Sequence, residues 1–144
     1  MAQAGTGDRG RSRRRIIDRS SIMRSVRSHN TTPELTVRKA VTSLGFRYRL
    51  HRKSLPGCPD LVFAGRRKVI FVHGCFWHGH DCKRGSRIPK TNASYWTAKI
   101  QRNRDRDCAS NSALNADRWR VLVIWECEIR DREELLRRIA EFLA

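Results

Sequence analysis

Apolar positions along this chain follow two rhythms, one helical and one strand-like. Between Thr32 and Gly45, Val37, Ala40 or Val41, and Leu44 recur at helical spacing. Thr32 as N-cap, Pro33 in the first turn and Gly45 just past the end give that helix a start and a stop. Phe46 to His51 then alternates apolar and basic residues, as a half-exposed strand does. Asp60 to Ala64 and Lys68 to His73 are two further short β-rich runs, separated by a Gly-Arg-Arg turn. Ala93 to about Ser110 reads as a helix with few apolar residues. Arg120 to Trp125 carries Val121, Leu122, Val123 and Ile124 in unbroken succession, the pattern of a strand buried on both faces. Asp131 caps a last helix whose Leu135, Leu136, Ile139, Phe142 and Leu143 form a continuous stripe. Upstream, Ser20 to Ser28 reads as a short helix with Met23 on one face.

The first strands are close enough in sequence for antiparallel pairing, and the long helical crossover places the last strand parallel to one of them. The expected fold is therefore α/β: a small mixed β-sheet flanked by helices. With 144 residues the chain suits one compact domain. Met1 to Arg15 is rich in Gly, Ser and Arg and has almost nothing to bury. The expected division is a disordered basic tail over residues 1–18 and a single domain over 19–144. Arg11, Arg13, Arg14 and Arg15 either reach phosphates or are simply solvated.

Charge changes the picture. Lys and Arg number 31 against 14 acidic residues, a formal net charge of +17. Such an excess opposes compaction and points to a polyanionic partner, nucleic acid before a membrane surface. No apolar run approaches the ~18 residues that span a bilayer. No apolar stretch follows the basic N-terminus, so a secretory signal is not expected, and the cytoplasm is the expected compartment.

The segment from His73 to Cys82, HGCFWHGHDC, holds three of the five histidines and two of the five cysteines. An odd number of cysteines interleaved with histidines fits a metal site in a reducing compartment better than a disulfide framework. Structural zinc takes four Cys or His ligands in a tetrahedron. Cys75, His80 and Cys82 lie close together, and Cys127, just past the Val121–Trp125 run, is the natural fourth. Burial of Cys75 and Cys127 as small hydrophobes is the alternative, but it does not account for His80 and Cys82 in a polar loop. Cys58 and Cys108 are not expected to be ligands.

Three motifs in order, LPGCPD (Leu55 to Asp60), FVHGCFWHGHDC (Phe71 to Cys82) and WRVLVIWEC (Trp119 to Cys127), closely resemble the very short patch repair endonucleases, the Vsr mismatch nucleases. The resemblance runs from about Ser20 to the C-terminus. It implies a restriction-endonuclease-like core, structural zinc, catalytic magnesium, and the nicking of one DNA strand 5′ of the thymine in a T·G mismatch left by deamination of 5-methylcytosine. It also implies that Asp60 binds magnesium, together with the backbone carbonyl of Val72, where the family often has threonine. Read alone, Asp60 is equally a turn residue after Pro59. By the same resemblance His78 activates the attacking water, His73 is a second active-site histidine oriented by Asp107, and Glu34 reaches the metal-bound water. Glu34 also complements the positive end of its helix, and Asp107 could pair with Arg104 or Arg106.

Phe76, Trp77 and Trp96 resemble the family's intercalating aromatics, and Met23 a residue that approaches from the opposite groove; ordinary partial burial is the lesser alternative for Trp77. At ~100° per residue the helix from Ala93 places Asn103 and Asp107 about 20° to either side of Trp96, with Lys99 on the same side. That face suits a DNA groove, the ring stacking while Lys99 and Asn103 reach base edges. Arg102, Arg104 and Arg106 lie nearer the flanks, within reach of phosphates. Trp119 and Trp125 are expected to pack.

The reading is a magnesium-dependent, zinc-stabilised, monomeric enzyme acting on double-stranded DNA at T·G mismatches. Its context would be a DNA cytosine methyltransferase and mismatch-repair proteins. Its rivals are a zinc-containing DNA-binding module without catalysis, a restriction-like nuclease reading intact sequence, and a basic RNA-binding protein.

Overall fold

The structure is a computed structural model that describes residues 31–83 and 85–144. The basic tail, the Ser20–Ser28 helix and Met23 lie outside the described residues.

Helix α1 spans Thr32–Ser43. Its N-cap is Thr31, one residue before the expected Thr32, and the Thr31 hydroxyl accepts the Glu34 N–H at 3.4 Å. Pro33 thereby stays in the first turn, where a missing N–H leaves no bond unmade. At the other end Gly45 takes φ +86°, a left-handed conformation that costs glycine little. Its N–H reaches Thr42 O at 3.0 Å and the Phe46 N–H reaches Val41 O at 3.3 Å, closing the last turn.

Four strands follow in the order β1-β2-β3-β4: Arg49–Leu50, Leu61–Phe63, Lys68–His73 and Arg120–Trp125. β1 pairs antiparallel with β2, β2 antiparallel with β3, and β3 parallel with β4. The expected mixed sheet is therefore present. β1 is far shorter than the Phe46–His51 alternation suggests, because Phe46 and Tyr48 leave the ladder to pack on the core. Ala64–Arg66 forms a single 3-10 turn between β2 and β3.

Helix α2 spans Ala93–Ala116 and runs past the expected end near Ser110. The Ser- and Asn-rich last turns stay helical because Leu114 is fully buried on the sheet. Helix α3, Arg132–Leu143, starts at Asp131 as expected, whose carboxylate accepts the Glu134 N–H at 3.1 Å.

Strand alternation sorts the core into two layers. Leu61, Phe63, Ile70 and Ile124 face α1 and α3, meeting Val37, Val41, Leu135, Ile139 and Leu143. Val62, Val69 and Phe71 face the other way, onto Leu114 and Trp119. The same alternation sends His73 and Trp125 to the α2 side, side by side in the parallel register. None of the described helices is long and apolar enough to cross a membrane.

Candidate active site

Asp60 precedes β2 by one residue, and its Oδ2 accepts the Val72 N–H at 2.7 Å. That bond ties the carboxylate to the C-terminal half of β3, so Asp60 and the Val72 backbone are held together across the sheet. A cavity of about 240 Å³ opens there, lined by Asp60, Val72, His73, His78 and Asp107 with Ser110 and Asn111 of α2. Residues as far apart in sequence as Asp60 and Asn111 thus meet at one end of the sheet.

The two histidines are stacked, with parallel rings whose centroids lie 3.9 Å apart. Asp107 holds His78, Nδ1 to Oδ2 at 2.5 Å. This corrects the expected partner: the hydrogen bond from the carboxylate goes to His78, whose ring lies stacked on His73, and not to His73 itself. Arg106, the alternative partner, bonds Asn103 Oδ1 instead. His73 is buried, and its Nδ1 has no hydrogen-bond partner among the described residues. Burial, helped by the neighbouring His78 and opposed by Asp107, pushes the His73 imidazole down to about 4. His73 is therefore neutral near pH 7.

Trp125, expected only to pack, stands edge-on to His73 with centroids 5.2 Å apart and lies flat against His80 at 4.3 Å. It joins the histidine pair to the cysteine cluster. Its parallel pairing with His73 follows from the β3–β4 register, which sequence spacing alone does not give.

Glu34 is buried at the start of α1, 2% exposed. Arg38 donates to its Oε1 at 2.9 Å, and His51 Nε2 lies against the same oxygen. Burial would raise this carboxyl, but the bonds from His51 and Arg38 outweigh it and hold it below the usual carboxylate range. His51 also approaches Asp60, Nε2 to Oδ1 at 4.0 Å. Sequence reasoning passed over His51; its only local signal is a histidine at the end of a strand whose partner strand begins beside Asp60.

Cys75, His80, Cys82 and Cys127 bring their ligand atoms within 4.8 Å of one another. Cys127 Sγ is 3.5 Å from His80 Nδ1, and the Cys127 N–H donates to Cys75 Sγ at 3.4 Å. Zinc–sulfur bonds near 2.3 Å in a tetrahedron require ligands roughly 3.8 Å apart, so the donor set fits zinc. Asp81 sits 3.4 Å from the other nitrogen of His80, as a carboxylate that orients a metal-binding imidazole does. Burial pushes the Cys75 thiol up to about 12, so a cation is needed to make it a ligand thiolate. Cys58 instead lines the cavity and Cys108 is exposed on α2.

Between these two clusters the chain raises a group of rings. Phe76 and Trp77 meet Trp96 of α2 at centroid distances of 5.6 and 6.0 Å. Lys99 places its ammonium over Trp77 at 5.4 Å. Asn103 donates to the Trp77 carbonyl at 2.8 Å, so its amide braces the aromatic loop in this conformation. All three rings are half-buried, and Tyr95 beside them is exposed.

The sequence profile of the family described as DNA mismatch endonuclease Vsr matches residues 16–84. The type II nicking enzyme V.XorIIP of Xanthomonas oryzae is 52% identical over 125 residues, which cover 87% of this chain and 91% of that protein. The type II nicking enzyme V.NmeAIP of Neisseria meningitidis is 42% identical over 127 residues, covering 85% and 90%. The DNA mismatch endonuclease Vsr of Escherichia coli is 42% identical over 117 residues, covering 81% and 74%. The site is thus that of a DNA endonuclease, a hydrolase whose partner is DNA. The chain belongs to the Vsr family of DNA mismatch endonucleases.

Proposed function

We propose that this protein nicks one strand of DNA 5′ of the thymine in a T·G mismatch, with magnesium as the catalytic ion and zinc as the structural one. The observation that carries the reading is the meeting of Asp60, His73, His78 and Asp107 in one cavity beside an aromatic cluster. The description of the family as DNA mismatch endonucleases supports mismatch cleavage.

Asp60 and the Val72 carbonyl would hold magnesium, which when bound neutralises charge on the phosphate and acidifies a water. The chain's own residues do the rest. Asp107 fixes the Nδ1–H tautomer of His78, leaving Nε2 as the nitrogen that takes a proton from the attacking water. Neutral His73 stacks under His78 and fixes its plane. Glu34 stands on the His51 side of Asp60 and orients water there. Cys75, His80, Cys82 and Cys127 hold zinc and so fix both ends of the loop that carries the rings.

Phe76, Trp77 and Trp96 act as the wedge, with Lys99 toward the groove, Asn103 supporting the DNA-binding face through its bond to the Trp77 carbonyl, and Met23 entering from the opposite side. Prying a base step apart costs a few kcal/mol, and least where pairing is already faulty. A wobble pair is then favoured mechanically before any base edge is read. We take the working unit to be a monomeric domain over residues 19–144 with a basic tail, acting in the cytoplasm after a cytosine methyltransferase and before mismatch-repair proteins.

A duplex labelled on the thymine strand tests this directly. Wild-type protein with magnesium should release one product ending 5′ of the mismatched thymine, and Asp60→Ala should lower the rate by roughly 10³-fold or more. Binding without a magnesium-dependent product would favour a non-catalytic zinc module.

A further inference from the structure

The tripeptide His78-Gly79-His80 joins the histidine cavity to the cysteine cluster. His78 turns to the cavity, where Asp107 bonds its Nδ1, and His80 turns to Cys75, Cys82 and Cys127. Gly79 between them takes φ +62°, and a Cβ there would fall 2.7 Å from the buried Ile100 side chain and 3.0 Å from that of Arg104. Both crowding residues belong to α2, the helix that carries Asp107. All three backbone N–H groups are bonded within the loop: His78 to Gly74 O at 3.2 Å, Gly79 to Phe76 O at 3.4 Å, His80 to Cys75 O at 3.0 Å. The link is short, glycine-dependent and pressed on the helix, so its two imidazoles have little freedom to move separately.

One side chain of β4 touches both. Trp125 lies flat against His80, with centroids 4.3 Å apart and 18° between the planes. It stands edge-on to His73 at 5.2 Å and to His78 at 6.3 Å. Flat and edge-on contacts are the two arrangements that aromatic rings favour, so each constrains a tilt as well as a distance. A tetrahedral ion held by three thiolates leaves one direction for its fourth ligand, which fixes where the His80 ring can lie. That ring then seats Trp125, and the edge of Trp125 bounds the stacked His73–His78 pair.

We propose that Trp125 is a positioning residue for the nicking reaction, passing the seating of His80 in the cysteine cluster on to the ring plane of His78. It rests on the readings of His78 as the base and of the cluster as a zinc site. It adds that the cluster governs turnover and not the fold alone. Without the indole, DNA would still be held, but His78 Nε2 would swing off the line to the attacking water.

Trp125→Leu and Trp125→Phe in the full zinc-loaded chain test this, with zinc content, DNA affinity, single-turnover nicking and the nitrogen-15 spectrum of the histidines as readouts. Trp125→Leu should keep its zinc and bind DNA within about twofold of wild type, yet nick roughly 10–100-fold more slowly. The His78 Nδ1–H signal, held by Asp107 in the wild type, should shift or broaden in the same variant without DNA present. Trp125→Phe restores a flat ring and should recover most of the rate. His80→Cys keeps four zinc ligands but removes the ring that seats Trp125; it should slow nicking alike, and decides the matter if circular dichroism shows Trp125→Leu to be misfolded. A zinc-loaded Trp125→Leu or His80→Cys with wild-type rate and an unmoved His78 signal overturns the proposal. So does a loss of rate that only tracks lost zinc, because Trp125 is then merely structural. The two readings separate: a wild type that nicks, with Trp125→Leu its equal, sinks only this link. A moved His78 signal in a protein that nicks no duplex sinks only the nuclease.

Discussion

At the scale of single residues, the proposed mechanism turns on one carboxylate. Asp107 grips His78 Nδ1, which on that proposal leaves Nε2 as the base, while His73 is kept neutral by burial. Asp107→Asn preserves the shape of the contact but not its charge. Nicking should fall by roughly 10²–10⁴-fold with DNA affinity little changed, as single-turnover rates and a binding isotherm would report. His73 makes a different, thermodynamic prediction. Its folded-state value is about 4 against an ordinary 6.5, so the unfolded chain takes up the proton first as pH falls. Stability from this residue is complete above pH 6.5 and is lost as pH falls toward 4, by at most about 3 kcal/mol. Denaturant melts across that window should show a shallower slope in His73→Asn; an unchanged slope contradicts the buried neutral imidazole. The meeting of Cys75, His80, Cys82 and Cys127, and a carboxylate at the start of β2, were legible in the sequence because these residues fall within or beside compact motifs. His51 and Trp125 were not, because their partners are fixed by strand register: Trp125 beside His73, His51 beside Asp60.

At the scale of elements, the loop from Cys75 to Cys82 is held at both ends and leaves almost no slack. A Cβ at Gly85 would fall 2.1 Å from the His80 carbonyl oxygen and 2.9 Å from that of Cys75, both backbone atoms that cannot swing aside. Gly85→Ala should therefore shift the ligand loop, lowering zinc content and costing roughly 1–3 kcal/mol or more in a thermal melt. Normal zinc content and melting in that variant would show the loop to be looser than its geometry. The extents of β3 and β4 match their apolar runs best, but β4, expected to be buried on both faces, is an edge strand of the described sheet and only Ile124 in it is buried. The last turns of α2 agree least. Four of the seven residues from Ser110 to Ala116 are Ser or Asn, and Leu114, buried in one cluster with Trp119, extends the helix through a contact that no local pattern announces. At β1 the alternation of Phe46, Tyr48 and Leu50 reads as one strand, but the first two side chains turn to the core and only Arg49–Leu50 stay in the ladder.

At the scale of the whole molecule, charge and chemistry answer separate questions. On the proposed reading the net charge of +17 sets how strongly any DNA is held, and the rings and the cavity set which DNA is cut. Affinity for matched and mismatched duplex should fall together with salt, by about 10³–10⁵-fold between 50 and 200 mM if six to ten phosphates are neutralised. The ratio between the two should stay nearly constant, and a ratio that collapses with salt would assign selectivity to charge rather than to the wedge. The most direct test of the whole account compares nicking of T·G and C·G duplexes of otherwise identical sequence, each with magnesium and with a chelator. The account predicts a nick on the thymine strand of the T·G duplex alone, and only with the metal. Equal cutting of both duplexes, or cutting that survives the chelator, would contradict it.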